Sequence, residues 1–381
     1  MYKKLVHTPE GVRDIYGEEY ARKLSIQELI RHRLSLYGYE DIQTPIFEYF
    51  DVFSSKIGTT PSRELYKFFD KEGNTLVLRP DFTPSMARCA AKYFIDRDAP
   101  IRLCYQGNTF ANTEALQGKL KEVTQMGAEL MGDGSVEADG EMIALVIEAL
   151  LAAGLSEFQL SIGEVEYFKG LCRQAGLDDE TELALRDFIS GKNIFGAENL
   201  LMERGIDRES CEMLLEITNY FGSVESLARA KNVHNSRSLV AIRRLEALYE
   251  VLCAYGVEKY VSFDLGMLSK YNYYTGVIFK VFTYGVGDAV VKGGRYDNLL
   301  GYFGKPAPAI GFAVVIDDLM NALNRQKHTF APSAQKTALF YDEETYLDKL
   351  EEARALRSRG IPAQLIPLKG GKHNPGKEVE K

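Results

Sequence analysis

The sequence predicts an α+β fold built around an antiparallel sheet. Three observations support this prediction: strand-like runs form two blocks, helical segments lie between them without regular alternation, and a long helical stretch separates the blocks. Regular alternation would instead indicate βαβ units and a parallel sheet. The predicted domains are a split core over residues 1–163 and 258–328, a helical insertion over 164–257, and a short α/β segment over 336–381.

The first block begins with an amphipathic helix over residues 16–37. It ends at Gly38, since glycine readily adopts the left-handed conformation that follows a helix. Thr83 followed by Pro84 is typical of a helix start. The strongly apolar run over 136–153 predicts a further helix. Short apolar runs predict strands at residues 75–78, 101–105, 122–131 and 158–162.

The second half changes character. Residues 164–257 show no convincing strand pattern, and glycines punctuate a series of helical segments. Strands are predicted again at 260–265, 277–283 and 289–291, and the alternation of Val277, Phe279 and Val281 indicates one buried strand face. A helix over 316–325 closes the block. After it we predict a linker at 329–335, a strand at 338–341, a helix at 344–359, a strand at 363–366 and a frayed tail.

Composition excludes several classes of protein. The chain of 381 residues is 45% hydrophobic and carries a net charge of −8, which is typical of a folded protein rather than a disordered or collagen-like one. An acidic balance disfavours non-specific binding to nucleic acid. The longest apolar stretch, residues 142–155, is interrupted by Glu148 and is shorter than the roughly 20 residues that span a bilayer. We therefore expect a cytoplasmic protein with no membrane segment.

Motifs for metals and nucleotides are missing from the sequence. The five cysteines and five histidines are scattered without metal-ligand spacing. Gly285 and Gly287 begin a GxG pattern, but the third glycine of a dinucleotide loop would fall on Val290. We expect no metal and no cofactor.

Several separated segments together resemble the catalytic core of histidyl-tRNA synthetase, a class II aminoacyl-tRNA synthetase. Residues 8–14 resemble its N-terminal signature. Residues 37–39 followed by 42–48 resemble motif 1, the dimer segment of that family. Further matches are residues 78–83 (the amino-group segment), 110–125 (motif 2), 273–276 (the histidine-specific loop), and 293–297 with 308–313 (the approach to motif 3 and its strand). Over residues 5–325 the resemblance implies a class II synthetase-like antiparallel sheet flanked by helices.

The resemblance fails where the family binds ATP. Adenylation brings a carboxylate up to a phosphate, and guanidinium groups stabilise the two anions. At three positions where the family has such arginines, this sequence has Ala111, Ser269 and Asp318. We therefore expect that the chain does not activate histidine.

The positions that hold histidine in the family are kept, except that Asp81 replaces a glutamate of the same charge. Their oxygens suit an ammonium group and ring N–H donors. Taken singly, an ion pair at Glu129 and packed tyrosines in a sheet explain these residues equally well, and Arg295 has a structural and a ligand-binding interpretation. Because the ATP-binding arginines are lost while the histidine-binding positions are retained, the sequence favours a histidine pocket. The predicted histidine-binding residues are Asp81, Thr83, Gln125, Glu129, Tyr273 and Tyr274.

This combination resembles the family of ATP phosphoribosyltransferase regulatory subunits, which are related to histidyl-tRNA synthetase. The resemblance implies a non-catalytic subunit required for the first step of histidine biosynthesis. It also implies a hetero-oligomer with the short-form catalytic subunit, a homodimer through the synthetase-like core, and L-histidine as effector. The segment after Gln335 is too short for an anticodon-binding domain of about 100 residues, so tRNA binding is not expected.

The sequence leaves two alternatives open. An active aminoacyl ligase with a rearranged ATP site would catalyse histidine-dependent pyrophosphate exchange. A histidine-binding pseudo-synthetase would instead sense tRNA or another partner. Sensing tRNA would need a basic face, which a net charge of −8 does not favour.

Overall fold

A computed structural model describes residues 6–54, 60–94, 96–97, 99–113, 120–269, 273–328 and 336–368. The chain forms two compact units, of which the larger contains Lys23–His328 and the smaller contains the C-terminal elements. The predicted linker over 329–335 and the predicted tail from residue 369 lie outside the described residues.

The strands and helices follow one another without regular alternation. The described strands are β1 (Glu40–Asp41), β2 (Phe47–Tyr49), β3 (Lys67–Phe69), β4 (Thr75–Leu78), β5 (Ile101–Phe110), β6 (Glu122–Met131), β7 (Phe158–Glu164), β8 (Phe221–Gly222), β9 (Val261–Asp264), β10 (Val277–Thr283), β11 (Val291–Arg295), β12 (Ala309–Val315), β13 (Thr337–Tyr341) and β14 (Ala363–Pro367). The described helices are α1 (Gly17–Leu36), α2 (Thr83–Tyr93), α3 (Val136–Ala152), α4 (Val165–Gln174), α5 (Asp179–Ser190), α6 (Ile194–Glu203), α7 (Arg208–Glu216), α8 (Ser226–Ala230), α9 (Ser236–Tyr255), α10 (Ile316–Arg325) and α11 (Tyr346–Ser358).

A nine-stranded sheet organises the larger unit, in the order β1-β5-β6-β12-β11-β10-β7-β9-β8. The run from β5 to β7 is antiparallel throughout. Parallel pairs occur toward both edges, β1 with β5 and β7 with β9. The predicted α+β class is confirmed, and the sheet is antiparallel at its centre and mixed at its edges.

Two strand predictions were wrong in detail. Residues 164–257 were expected to hold no strand, but β8 pairs with β9 at the sheet edge; two residues are too few for a side-chain pattern. The strand expected at 289–291 instead runs over Val291–Arg295. It contains Gly293 and Gly294, and glycine is depleted in strands, so the pattern predicted only its beginning.

Helices pack against the nine-stranded sheet. The predicted apolar helix over 136–153 is confirmed as α3, and its residues Met142 to Ile147 are fully buried. Helix α3 contacts β12 and α9, while α10 contacts β6 and β12. In the smaller unit, β13 and β14 form a parallel pair, and α11 contacts both. Within the described residues, no helix is both long enough and apolar enough to cross a bilayer.

A buried ion pair ties α3, α9 and β11 together. The Asp139 side chain is fully buried; its Oδ1 accepts a hydrogen bond from Arg295 Nε at 2.8 Å, and its Oδ2 accepts one from Arg244 Nε at 2.9 Å. Burial raises the pKa of the Asp139 carboxyl, and the two arginines oppose that rise. Arg295 also donates to the backbone carbonyl of Asp133. These contacts favour the structural interpretation of Arg295.

We predict that Asp139→Ala lowers the free energy of unfolding by about 3–5 kcal/mol, because it removes the fully buried counter-charge of Arg295 and leaves that arginine with Asp297, whose side chain is 37% exposed. Urea unfolding measures this change. The matched control is Glu212→Ala, which removes the partner of Arg208 in a pair whose side chains are 67% and 92% exposed; such pairs contribute about 1 kcal/mol or less. Equal losses in the two variants would contradict the prediction.

Candidate functional site

A cleft opens on one face of the central sheet. It encloses about 680 Å³, counting its mouth toward solvent. Five of the six predicted histidine-binding residues line it: Asp81, Thr83, Gln125, Tyr273 and Tyr274. The sixth, Glu129, is 1% exposed and lies beneath the lining. The structure therefore brings the predicted set together, with Glu129 as part of the floor.

Three distant segments supply these side chains. Thr83 begins α2, where its backbone N–H donates to Asp81 Oδ1 at 2.9 Å. Gln125 and Glu129 both lie on β6 and are four residues apart, so they share a sheet face. Tyr273 and Tyr274 precede β10. The sheet register therefore holds groups that the sequence separates widely.

Two hydroxyl groups bind the buried carboxyl of Glu129. Thr83 Oγ1 donates to Glu129 Oε1 at 2.9 Å, and the Tyr296 hydroxyl donates to Oε2 at 2.5 Å. Thr83 and Tyr296 also line the cleft, so they connect the carboxyl to it. The sequence reasoning did not assign a role to Tyr296, although the residue stands in the matched segment 293–297.

A glycine makes room for this carboxyl. Gly311 on β12 lies directly opposite Glu129 on β6. A Cβ atom at Gly311 would stand 1.6 Å from Glu129 Oε2, far inside any allowed contact. The segment 308–313 was recognised as a strand, but this requirement for glycine depends on the register and has no signal in a single sequence.

Burial dominates the electrostatics of the floor. It raises the pKa of Glu129 to about 8, with a smaller contribution in the same direction from the negative charge of Asp81. The hydrogen bonds from Tyr296 and Thr83 oppose the rise. A carboxyl that titrates near neutral pH can respond to the protonation state of a ligand, and imidazole titrates in the same range.

Tyrosine rings form one wall of the cleft. The ring centroids of Tyr273 and Tyr274 are 4.5 Å apart, and Tyr273 meets Tyr296 edge to face at 6.0 Å. Such walls accept flat ring systems through stacked or edge contacts. The cleft therefore combines an aromatic wall with oxygen-bearing groups on its floor.

The three positions that the sequence comparison predicts to replace ATP-binding arginines have these surroundings. The backbone N–H of Ala111 donates to the carbonyl of Lys121. Ser269 is buried and lines a depression beside the cleft. Asp318 follows Asp317, whose carboxylate pairs with Lys23 Nζ at 2.9 Å and accepts the backbone N–H of Thr124. None of these three side chains carries a positive charge toward a phosphate.

Comparison with known proteins gives a consistent result. The family model described as histidyl-tRNA synthetase matches residues 11–319. A protein of Ruminiclostridium cellulolyticum named ATP phosphoribosyltransferase regulatory subunit is 42% identical, with 96% of this chain and 88% of the relative covered. A protein of the same name from Acetivibrio thermocellus is 41% identical over the same shares of 96% and 88%.

A solved structure shows the same similarity. The crystal structure of an ATP phosphoribosyltransferase regulatory subunit/histidyl-tRNA synthetase from Bacillus halodurans superposes with a TM-score of 0.87. It is 36% identical in sequence, and the match covers 97% of this chain and 94% of that one. The likeness therefore extends over sequence and fold together.

We predict that Glu129→Gln becomes more stable relative to the unsubstituted protein as the pH rises from 5 to 8. In this interval the unfolded carboxyl, with its ordinary pKa of 4.5, releases its proton, whereas the folded one, with a pKa of about 8, keeps it. The stability of the unsubstituted protein therefore falls with rising pH, and the glutamine variant lacks this contribution.

The difference in unfolding free energy between the two proteins should grow by about 1 kcal/mol per pH unit and level off above pH 8. Denaturant unfolding at several pH values measures it. Glu212→Gln, at an exposed site, serves as control and should show a constant difference. A constant difference for Glu129→Gln would contradict the raised pKa.

Proposed function

The chain belongs to the family of ATP phosphoribosyltransferase regulatory subunits, and on this premise we propose that it binds L-histidine in the cleft and transmits that binding to a catalytic phosphoribosyltransferase subunit. It is a regulatory subunit of ATP phosphoribosyltransferase and has no catalysis of its own. Its core is of the histidyl-tRNA synthetase type. The proposal concerns the effector, the site at which it binds and the assembly.

The observation that carries the proposal is the pair of hydroxyl groups held on Glu129. When Glu129 is ionised, Thr83 and Tyr296 both donate their protons to it. Both residues line the cleft, and their hydroxyl oxygens keep lone pairs that can accept hydrogen bonds. Asp81 adds a carboxylate to the lining. Such a surface suits a ligand rich in N–H donors, and histidine has an ammonium group and a ring N–H.

The proposed pose follows from these groups. The ammonium group lies at Asp81 and Thr83 near the start of α2, and the imidazole lies over Tyr296 and Glu129 against the tyrosine wall. A cation above the floor favours the ionised form of Glu129. Histidine binding should therefore draw a proton off this carboxyl when the free protein holds one.

The same cleft is unsuited to adenylation. Ala111 and Ser269 are neutral, and Asp318 would repel a phosphate. With no guanidinium at these positions, the negative charge that develops between carboxylate and phosphate has no stabilising partner there. The chain therefore retains the amino-acid half of a synthetase site without its ATP half.

We also propose that the core forms a homodimer and that the complex operates in the cytoplasm, without tRNA. The small sheet β2-β4-β3 adjoins the segment that resembles motif 1. Its Phe47, Tyr49 and Phe68 share one face of that sheet and are 52%, 58% and 37% exposed. A cluster of exposed aromatic side chains is typical of an interface, and two-fold dimers are the commonest closed assembly.

The dimer is tested with Phe47→Glu, which places a charge in this patch. We expect a dimer for the unsubstituted chain and a shift toward monomer for the variant at micromolar concentration, measured by analytical ultracentrifugation. The control is Phe195→Glu in α6, at a side chain that is 73% exposed, which should leave the dimer intact. A monomeric unsubstituted chain, or equal behaviour of both variants, would show that this interface is wrong.

The proposed effector site is tested with Glu129→Gln, which removes the charge and keeps the shape. We expect about tenfold or greater loss of histidine affinity by calorimetry, since hydrogen bonds to charged groups contribute about 1.5–3 kcal/mol. The response of the reconstituted phosphoribosyltransferase to histidine should weaken in parallel. Assembly with the catalytic subunit, followed by gel filtration, should be unchanged.

Glu212→Gln is again the matched control, since it makes the same chemical change at an exposed position. It should bind histidine and respond to it like the unsubstituted protein. If the enzyme complex keeps its full response to histidine while Glu129→Gln no longer binds it, the effector site lies elsewhere and the proposal is wrong.

A further inference from the structure

Lys292 stands where the cleft meets the neighbouring depression, and it lines both. It lies on β11 two residues from Gly294, which is opposite Gly311, which in turn is opposite Glu129. Residues two apart on a strand share a face and lie about 7 Å apart. Lys292 therefore lies on the same sheet face as Glu129, two strands away from it and one same-face position along β11.

The charges in the cleft are complementary to a zwitterion. Among the described residues that line it, Asp81 has the acidic side chain and Lys292 the basic one. An α-amino acid carries one ammonium and one carboxylate. With the ammonium at Asp81 and the ring over Glu129, the carboxylate has a cation available on β11.

We propose that Lys292 binds the α-carboxylate of the amino acid and thereby selects an intact amino acid over amines with the same ring. The assignment rests on the proposed binding of histidine in this cleft. It gives the carboxylate a cationic partner, which a neutral hydroxyl such as that of Ser269 in the neighbouring depression is not.

The present partner of Lys292 does not prevent this role. Lys292 Nζ lies 2.9 Å from Asp288 Oδ2, and the two side chains are 37% and 55% exposed. Exposed pairs of this kind contribute little free energy, so the ammonium can exchange Asp288 for a ligand carboxylate at low cost. Lys280 lies directly across the β10–β11 pair from Lys292 and lines the depression.

This arrangement provides a matched pair of variants, Lys292→Met and Lys280→Met. Both remove one positive charge from neighbouring positions on the same sheet face. Each variant and the unsubstituted chain are titrated by calorimetry with L-histidine and with L-histidinol, in which a hydroxymethyl group replaces the carboxylate. Thermal melts of all three proteins establish that they are folded.

We expect Lys292→Met to weaken histidine binding by about tenfold or more and to leave histidinol binding within about threefold. Lys280→Met should leave both ligands within about threefold, because its charge lies farther from the carboxylate and is screened. The selectivity for histidine over histidinol should therefore fall in the first variant alone.

Four results would overturn the assignment. A folded Lys292→Met that binds histidine normally, or that loses histidine and histidinol equally, shows that Lys292 does not bind the carboxylate. A loss of selectivity in Lys280→Met instead places the carboxylate in the depression. If the unsubstituted chain binds neither ligand, the proposed function itself fails, and the assignment fails with it.

Discussion

The site depends on keeping one carboxyl group out of water. Glu129 is buried beneath the cleft with two hydroxyl donors, in space that Gly311 leaves empty. Unpaired, an ionised carboxylate in this position would cost several kcal/mol. The hydrogen bonds lower that cost without removing it, so the pKa of the carboxyl stays raised, at about 8. The pKa of this carboxyl therefore lies near neutral pH, whereas a carboxyl exposed to water would be ionised at that pH.

From this constraint follows the chemical character of the cleft. When Glu129 is ionised, Thr83 and Tyr296 direct their protons toward it, so the proposed ligand meets acceptor oxygens. A cationic ligand strengthens that arrangement by favouring the ionised form. Such a pocket can regulate a partner subunit without catalysing a reaction itself. A ligand acts on a partner subunit when it binds more tightly to one of two states of the assembly than to the other. A change in the ionisation of Glu129 on binding would contribute to such a difference in affinity.

Sequence reasoning identified the residue types of this site but not its construction. Three of its residues could be predicted because they stand inside segments that resemble the family: Asp81, Thr83 and Gln125. The structure places all three in the cleft. Gly311 and Lys292 were missed for physical reasons. The first matters only through its register opposite Glu129. The second lies just past the end of the strand predicted at 289–291, so its place on the sheet face was not visible.

The central claim is that the Glu129 carboxyl titrates near neutral pH and that the imidazole of histidine binds directly above it. Carbon-13 NMR of carboxyl-labelled glutamate, with Glu129→Gln to assign the resonance, tests it most directly by following the titration without and with saturating histidine. The account predicts a pKa near 8 in the free protein and a clearly lower one when histidine is bound. An ordinary pKa in the free protein, or one that histidine leaves unchanged, would contradict it.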